Sequence, residues 1–149
     1  MDIKKATFDD LPKILSLQKL AYLSEAKLVN NYSIQPLTQT LEELEKEFTQ
    51  NIILKIEDDK NNKIIGSVRF YEKDNRVYVG KLMVHPDYQN KGIGTKLLKT
   101  IETYYKDKTF ELFTSSKSEK NIRLYEKIGY KEFKREKVSE ELELIFMEK

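Results

Sequence analysis

The spacing of apolar residues changes near residue 52, and this change limits the folds open to the chain. Apolar runs at Ile52–Ile56, Ile64–Tyr71 and Val77–Val84 predict three successive strands. Two short polar turn sequences, Asp58–Asn62 and Lys73–Asn75, separate these runs. Because such short turns join antiparallel strands, the middle of the chain predicts an antiparallel sheet.

Helical patterns precede and follow these strands. Thr7 with Asp10 and Thr40 with Glu43 resemble capping boxes that open two helices, and Ser24–Gln39 between them is predicted to be irregular. The remaining predicted elements are helices at Gly92–Lys106 and Ser118–Ile128, the second ended by Gly129, and strands at Asp2–Ala6, Phe110–Thr114, Tyr130–Arg135 and Leu142–Met147. The order β-α-α-β-β-β-α-β-α-β-β predicts an α+β (mixed α/β) fold.

The composition excludes several classes of protein. With 149 residues and no linker or repeat, the chain is expected to form a single domain, 1–149. No apolar run exceeds four residues, so a membrane span is not expected, and a cytoplasmic protein is the default. A net charge of +2 argues against a nucleic-acid partner. The absence of cysteine excludes thiolate nucleophiles and cysteine zinc sites, and no metal is expected.

The segment from Val84 to Thr95 carries the clearest chemical signal. A strand ends near Pro86, a polar loop follows, and Gly92 and Gly94 open a long helix. The first amides of a helix lack internal partners and favour an anion, and glycines let a ligand approach the backbone. The segment therefore predicts a diphosphate site, although the same glycines could merely ease a strand–helix turn.

This segment resembles motif A of the GNAT superfamily of N-acetyltransferases. The matching positions are Val84, Pro86, Gln89, Gly92 and Gly94. A second segment, Asn121–Tyr130, is similar to motif B of the family, with its Asn, Leu-Tyr and Gly-Tyr. The resemblance implies a GNAT-like, mainly antiparallel sheet of six to seven strands flanked by about four helices.

The resemblance also implies how acetyl-coenzyme A (acetyl-CoA) is held. Met83 and Val84 would hydrogen-bond the pantetheine arm beside a β-bulge, and Gly80 fits either that bulge or a simple kink. Asn121 is either a further cofactor partner or an ordinary first-turn residue. The diphosphate would lie on the loop and the helix start, at Gln89, Asn90, Lys91, Gly92, Ile93, Gly94 and Thr95.

Tyr125, in motif B, would be the general acid that protonates the leaving thiolate. The alternative is that Tyr125 only packs beside Leu124 and Ile128. Many family members place a glutamate general base where this chain has Tyr78. The other candidates for a base are Glu25, Tyr32, Glu72 or a chain of waters. His85 lies at a position that varies in the family.

Acceptor choice is expected to come from Ser24–Gln39, with Glu25, Tyr32 and Tyr78 as acceptor-binding candidates. This stretch contains a single acid, which favours a small polar amine or a peptide N-terminus over a polyamine. The expected function is direct transfer of an acetyl group from acetyl-CoA to a primary amine, by a chain that could form a homodimer. The alternative is a non-catalytic acyl-CoA-binding sensor or interaction module on the same fold.

Overall fold

The computed structural model describes all 149 residues and contains one seven-stranded sheet in the order β1-β2-β3-β4-β5-β7-β6. All neighbouring strands are antiparallel except β4 and β5, which run parallel. The prediction of a mixed, mainly antiparallel sheet is confirmed. The strands are β1 (Ile3–Lys5), β2 (Ile52–Glu57), β3 (Ile64–Lys73), β4 (Arg76–Val84), β5 (Thr109–Ser115), β6 (Lys131–Lys137) and β7 (Glu143–Glu148).

Six α-helical segments flank the sheet, and none of them is long and apolar enough to cross a membrane. Both capping boxes form as predicted: the Glu43 amide donates to Thr40 Oγ1 at 3.2 Å, and the Thr7 amide donates to Asp10 Oδ2 at 2.8 Å. The helices are α1 (Leu11–Ala21), α2 (Leu23–Val29), α3 (Gln35–Thr38), α4 (Leu41–Phe48), α5 (Ile93–Glu102) and α6 (Glu119–Ile128).

The expectation of an irregular stretch at Ser24–Gln39 is wrong, because α2 and α3 occupy much of it. α2 buries only Ala26 and Val29, so its apolar face is too short to show a helical period. It ends where Asn30 adopts a left-handed conformation with φ 50°. With these two short segments, the chain has six α-helical segments.

The predicted helix at Gly92–Lys106 is too long, because α5 ends at Glu102. Tyr104 and Tyr105 follow that end, and their rings pack edge-on against Phe70 at 5.4 and 6.1 Å. Aromatic packing thus extends the apolar pattern beyond the helix itself. At α6 the predicted stop is confirmed, with Gly129 at φ 116°.

The core forms two clusters, and β3 shows how they divide. Val68 and Phe70 pack with α5 and α6 in the larger cluster of 17 buried residues. Successive strand side chains point to opposite faces, so Ser67 and Arg69 face the other way. On that other side, α1 and α4 contribute to a cluster of eight buried residues that includes Met83.

The parallel pair β4 and β5 separates soon after it forms. Only Arg76–Thr109, Val77–Phe110 and Tyr78–Glu111 are paired across it. β4 continues to Val84 and β5 to Ser115, so the ends of these two strands diverge within the sheet. This divergence creates the opening in which the candidate site lies.

Gly66 on β3 is required by close packing. A Cβ atom there would lie 2.8 Å from Ile56 Cγ2 and 3.0 Å from Ile93 Cγ2. We expect Gly66→Ala to lower the free energy of unfolding by about 1–3 kcal/mol because these branched side chains must move. Urea unfolding measures the loss. Gly80→Ala is the control, because nothing lies within 4 Å of its added Cβ; equal stability of the two variants would contradict the packing argument.

Candidate functional site

The divergence of β4 and β5 forms one side of a cleft of about 740 Å³. This volume is in the range of small-molecule sites. One wall is β4 (residues 78–82) and the opposite wall is β5 (residues 111–115). Residues of α2, α3, α4, α6 and β3, together with Tyr22 and the turn between β6 and β7, contribute most of the remaining lining.

β4 carries a β-bulge at the cleft. Ser67 pairs with Met83 but Arg69 pairs with Gly80, so two residues of β4 face the single Val68. Lys81, within the bulge, has φ 51°, which is unusual for a lysine in a strand. Of the two explanations for Gly80, the structure shows the bulge rather than a simple kink.

The bulge decides which backbone groups of β4 face the cleft. The His85 amide donates to Ile65 O at 2.8 Å, and in an antiparallel ladder alternate residues bond to the same neighbour. Met83 therefore directs its N–H and C=O toward β3, whereas Leu82 and Val84 direct theirs toward β5. The side chain of Met83 is buried in the core, and the role of Met83 as a cofactor contact stays a prediction.

Two side chains contact the carbonyls that β5 leaves without strand partners. The Tyr22 hydroxyl donates to Leu82 O, and Gln89 Nε2 donates to Val84 O, both at 3.4 Å. These distances are long for hydrogen bonds. The carbonyls, and the amides beside them, therefore remain suited to a polar ligand laid along β4.

The N-terminus of α5 is built as the two-glycine pattern predicts. Gly92, its N-cap, has φ 79°, and Asn90 before it has φ 63°. No side chain caps the helix, so its first amides lack a side-chain partner. A Cβ on Gly94 would lie 3.7 Å from Leu82 Cδ2 and 4.0 Å from Val84 Cγ2, which places Gly94 next to the free edge of β4.

The other residues of the predicted diphosphate segment surround this helix start. Gln89 is half-buried and its Oε1 accepts a hydrogen bond from Lys120 at 2.8 Å. Lys91 is exposed over the ring of Tyr88, with Nζ 5.4 Å from the ring centre. Ile93 is buried in the larger core cluster, and Thr95 is half-buried.

Tyr125 lies on α6 and lines the cleft. Its side chain is 5% exposed, and its hydroxyl makes no hydrogen bond to another protein group. Burial raises the pKa of Tyr125 well above its usual value, and the neighbouring Tyr22 and Glu25 add to this effect. The phenol is therefore protonated at neutral pH and free to donate to a ligand in the cleft.

Glu25 of α2 reaches across to α6. Its Oε1 accepts hydrogen bonds from Ser118 Oγ and from Asn121 Nδ2, both at 2.8 Å. Asn121 thus holds Glu25, a contact that neither reading of its position in the sequence anticipated. Tyr78 also lines the cleft, stacked on Tyr71 at 5.1 Å, whereas Tyr32 is 57% exposed and lies outside the lining.

A buried polar network supports the cleft from the side of α1 and α4. Arg69 is 1% exposed, and its Nη1 lies 3.1 and 3.2 Å from the two oxygens of Glu47. Gln18 and Gln39 complete the network: Arg69 Nη2 donates to Gln18 Oε1, and Gln39 Nε2 donates to Glu47 Oε2 at 2.9 Å. A single arginine inside the apolar run Ile64–Tyr71 is the signal that could have revealed it.

His85 has a structural role here. It is 7% exposed, and its Nδ1 accepts a hydrogen bond from the Asp87 amide at 3.1 Å. The ring also packs edge-on against Tyr88 at 5.6 Å. Because its side chain caps the 3₁₀ turn Pro86–Tyr88 and lies outside the cleft lining, His85 takes no part in the candidate site.

These features agree with a comparison of the chain with known families. The profile described as the Acetyltransferase (GNAT) family matches residues 13–130. The chain belongs to the GNAT acetyltransferase family. The match includes the β4 bulge, the start of α5 and Tyr125.

A curated relative is the UPF0157 protein YqkA of Bacillus subtilis, which is 25% identical over 119 residues. The match covers 79% of this chain but 34% of YqkA, so the chain spans about a third of that protein's length.

Solved structures share the whole fold. The PaiA N-acetyltransferase of Thermoplasma acidophilum, in complex with coenzyme A, has a TM-score of 0.80 and 21% identity, covering 99% of this chain and 97% of its own. The ribosomal-protein-alanine N-acetyltransferase of Brucella melitensis has a TM-score of 0.77 and 21% identity, covering 100% and 99%. YncA of Salmonella typhimurium, a putative acetyltransferase with acetyl-CoA, has a TM-score of 0.73 and 21% identity, covering 100% and 92%.

Glu47→Gln tests the network below the cleft. We expect a loss of about 3 kcal/mol in the free energy of unfolding at pH 7, because the buried Arg69 loses its counter-ion. Burial alone raises the pKa of Glu47, but Arg69 and Gln39 lower it below its ordinary value. The stabilisation is therefore fully present above the unfolded pKa of about 4.3 and is lost as the pH falls below it.

Urea unfolding at several pH values measures the difference in the free energy of unfolding between the wild type and Glu47→Gln. This difference should narrow as the pH approaches 3. Glu42→Gln, on the exposed side of the same helix, is the control and should change stability by less than about 0.5 kcal/mol. A difference that stays constant with pH would show that the Glu47 charge is not responsible.

Proposed function

We propose that the protein is an acetyl-CoA-dependent N-acetyltransferase that transfers the acetyl group directly to a primary amine of a small molecule or a peptide. The position of Tyr125 carries this proposal. Its protonated phenol, without a partner in the protein, lines a cleft beside the free backbone edge of β4. Protonation of a leaving thiolate requires this kind of group.

The residues at the mouth of the cleft fit coenzyme A. The uncapped amides of α5 suit a diphosphate, and nothing lies within 4 Å of a Cβ added to Gly92, so a phosphate has room to approach. The free groups of Leu82 and Val84 suit the amides of the pantetheine arm, as a further strand would. The coenzyme complexes of the Thermoplasma and Salmonella proteins support this donor.

Two residues of the chain then act as the base and the acid of the reaction. Bound acetyl-CoA supplies an acetyl thioester. Glu25, held by Ser118 and Asn121, has its Oε2 free to accept a hydrogen bond from the acceptor amine and to take its proton. The amine nitrogen forms a bond to the acetyl carbon, the carbon–sulfur bond breaks, and Tyr125 donates its proton to the departing sulfur. Free thiols and phenols have pKa values of about 8.5 and 10, and the burial that raises the pKa of Tyr125 makes this donation more uphill than it would be in water.

Glu25 takes the place of the absent carboxylate on β4. Tyr78 occupies the β4 position, where its ring stacks on Tyr71 in the cleft. Among the candidates for a base, Glu25 is favoured because it lies close enough to Tyr22 and Tyr125 to raise the pKa of both. Tyr32 and Glu72 lie outside the cleft lining.

Tyr125→Phe tests the acid. We expect kcat to fall by about 10²–10⁴-fold, the usual contribution of a positioned proton donor, while coenzyme A affinity stays nearly unchanged. Release of free thiol, followed with a panel of amines, measures turnover, and calorimetry measures coenzyme A binding. Tyr104→Phe, outside the cleft, is the matched control. Unchanged turnover in Tyr125→Phe would remove Tyr125 from the mechanism. Coenzyme A binding by the wild type without turnover of any amine would instead support a non-catalytic sensor.

Gly94→Val tests the coenzyme site. The new side chain would enter the space between Leu124, Leu82 and Val84, so we expect coenzyme A affinity to fall at least tenfold, equal to about 1.4 kcal/mol. Gly92→Ala should instead lower stability by about 1 kcal/mol, because φ 79° disfavours any residue with a Cβ. Calorimetry and urea unfolding separate the two effects. Equal losses of stability and affinity in Gly94→Val would favour a merely structural turn.

A further inference from the structure

The ionised side chains of the cleft are not all paired. Glu111 bonds to Arg76 at 3.0 Å, and Glu47 bonds to Arg69 at 3.1 Å. Two charged groups of the lining remain without an oppositely charged partner within 4.0 Å, Glu25 on α2 and Lys81 on β4. One is an anion and the other a cation, and they lie in the same cavity.

Lys81 is an ammonium group held in the cleft without an acceptor. The bulge places it on the side of the sheet that carries Arg69 and Glu47. Burial lowers the pKa of Lys81, Glu47 opposes this shift and the positive charge of Arg69 adds to it. Glu47 is the nearby acid, but its oxygens already accept hydrogen bonds from Arg69 and from Gln39. A partly desolvated cation in this position favours an anion brought by a ligand.

Glu25 is the second charged group of the lining without an oppositely charged partner. It uses Oε1 for the neutral donors Ser118 and Asn121, and Oε2 makes no hydrogen bond. Its charge acts on the hydroxyl of Tyr125, which places Glu25 beside the proposed acid. The amine that reacts is therefore expected at Glu25, and a negatively charged group of the same acceptor at Lys81.

We propose that the acceptor is a small amino-carboxylate, whose amine meets Glu25 and whose carboxylate forms an ion pair with Lys81. This proposal rests on the proposed function and adds the class of acceptor. A polyamine fits poorly, because its second ammonium would meet Lys81 and Arg69 in the cleft. Because the pantetheine arm and the acceptor share the cavity, the acceptor has to be small, and it needs one anionic group for Lys81. A planar carboxylate meets both requirements.

The test compares three acceptors that share a side chain and differ in the group on the α-carbon: L-phenylalanine has a carboxylate, L-phenylalaninamide a neutral amide and phenethylamine a hydrogen. Matched sets are built on glycine and leucine. Rates are expressed per free amine, because the three amines differ in pKa. We expect wild-type kcat/KM to be at least about tenfold higher for the amino acid than for its amide in at least one set, mainly through a lower KM. Lys81→Met should abolish this preference and Lys81→Arg should keep most of it. Lys73→Met, an exposed lysine outside the cleft, is the control and should behave as the wild type.

Thermal melting and coenzyme A binding establish that each variant is folded and loaded. Turnover of amines without any preference for the carboxylate, or a preference that survives in Lys81→Met, overturns this proposal and leaves the proposed function standing. Coenzyme A binding without turnover of any acceptor overturns the proposed function and this proposal with it.

Discussion

The early separation of β4 and β5 is the constraint on which the rest of the site depends. Three residue pairs hold these parallel strands, and beyond Tyr78 the backbone groups that β4 and β5 direct toward each other are not paired across the two strands. Unpaired backbone groups are costly inside a protein, and here only the long contacts from Tyr22 and Gln89 reach the carbonyls of Leu82 and Val84. A ligand that offers amides and carbonyls along this edge would satisfy them, so the unpaired strand edge and the candidate binding site coincide.

The bulge and the buried network keep this opening in shape. One extra residue in β4 turns Leu82 and Val84 toward the cleft and leaves Lys81 in a left-handed conformation within a strand. Arg69, on the neighbouring strand, ties the sheet to α1 through Gln18 and to α4 through Glu47. The Nε of Arg69 has no hydrogen-bond partner, and burying an unpaired polar atom costs free energy. The other hydrogen bonds of Arg69 hold these helices beside the cleft despite this cost.

Sequence reasoning succeeded where the signal is local. The strands around the two polar turns, the capping boxes at Thr7 and Thr40, the stop at Gly129 and the glycine at the start of α5 all follow from residue type and spacing. It failed at α2, whose face has only two buried residues. It also gave no sign that Leu82 directs its backbone groups toward the cleft, because one inserted residue in β4 exchanges the groups that face it. A helix too short to show a period and a bulge inside a strand leave little trace in composition or spacing.

The sequence by itself determined the class of fold, the glycine start of α5 as a candidate anion site and the choice of Tyr125 as a candidate acid, because these depend on contiguous residues. Only the tertiary structure decided which side chains share the cleft. Glu25 and Asn121 are 96 positions apart in the chain yet bonded at 2.8 Å, and Lys81 becomes a cleft residue through a change of register against β3. Contacts between distant segments arise from how helices and strands pack together, and the spacing within any one segment does not encode them.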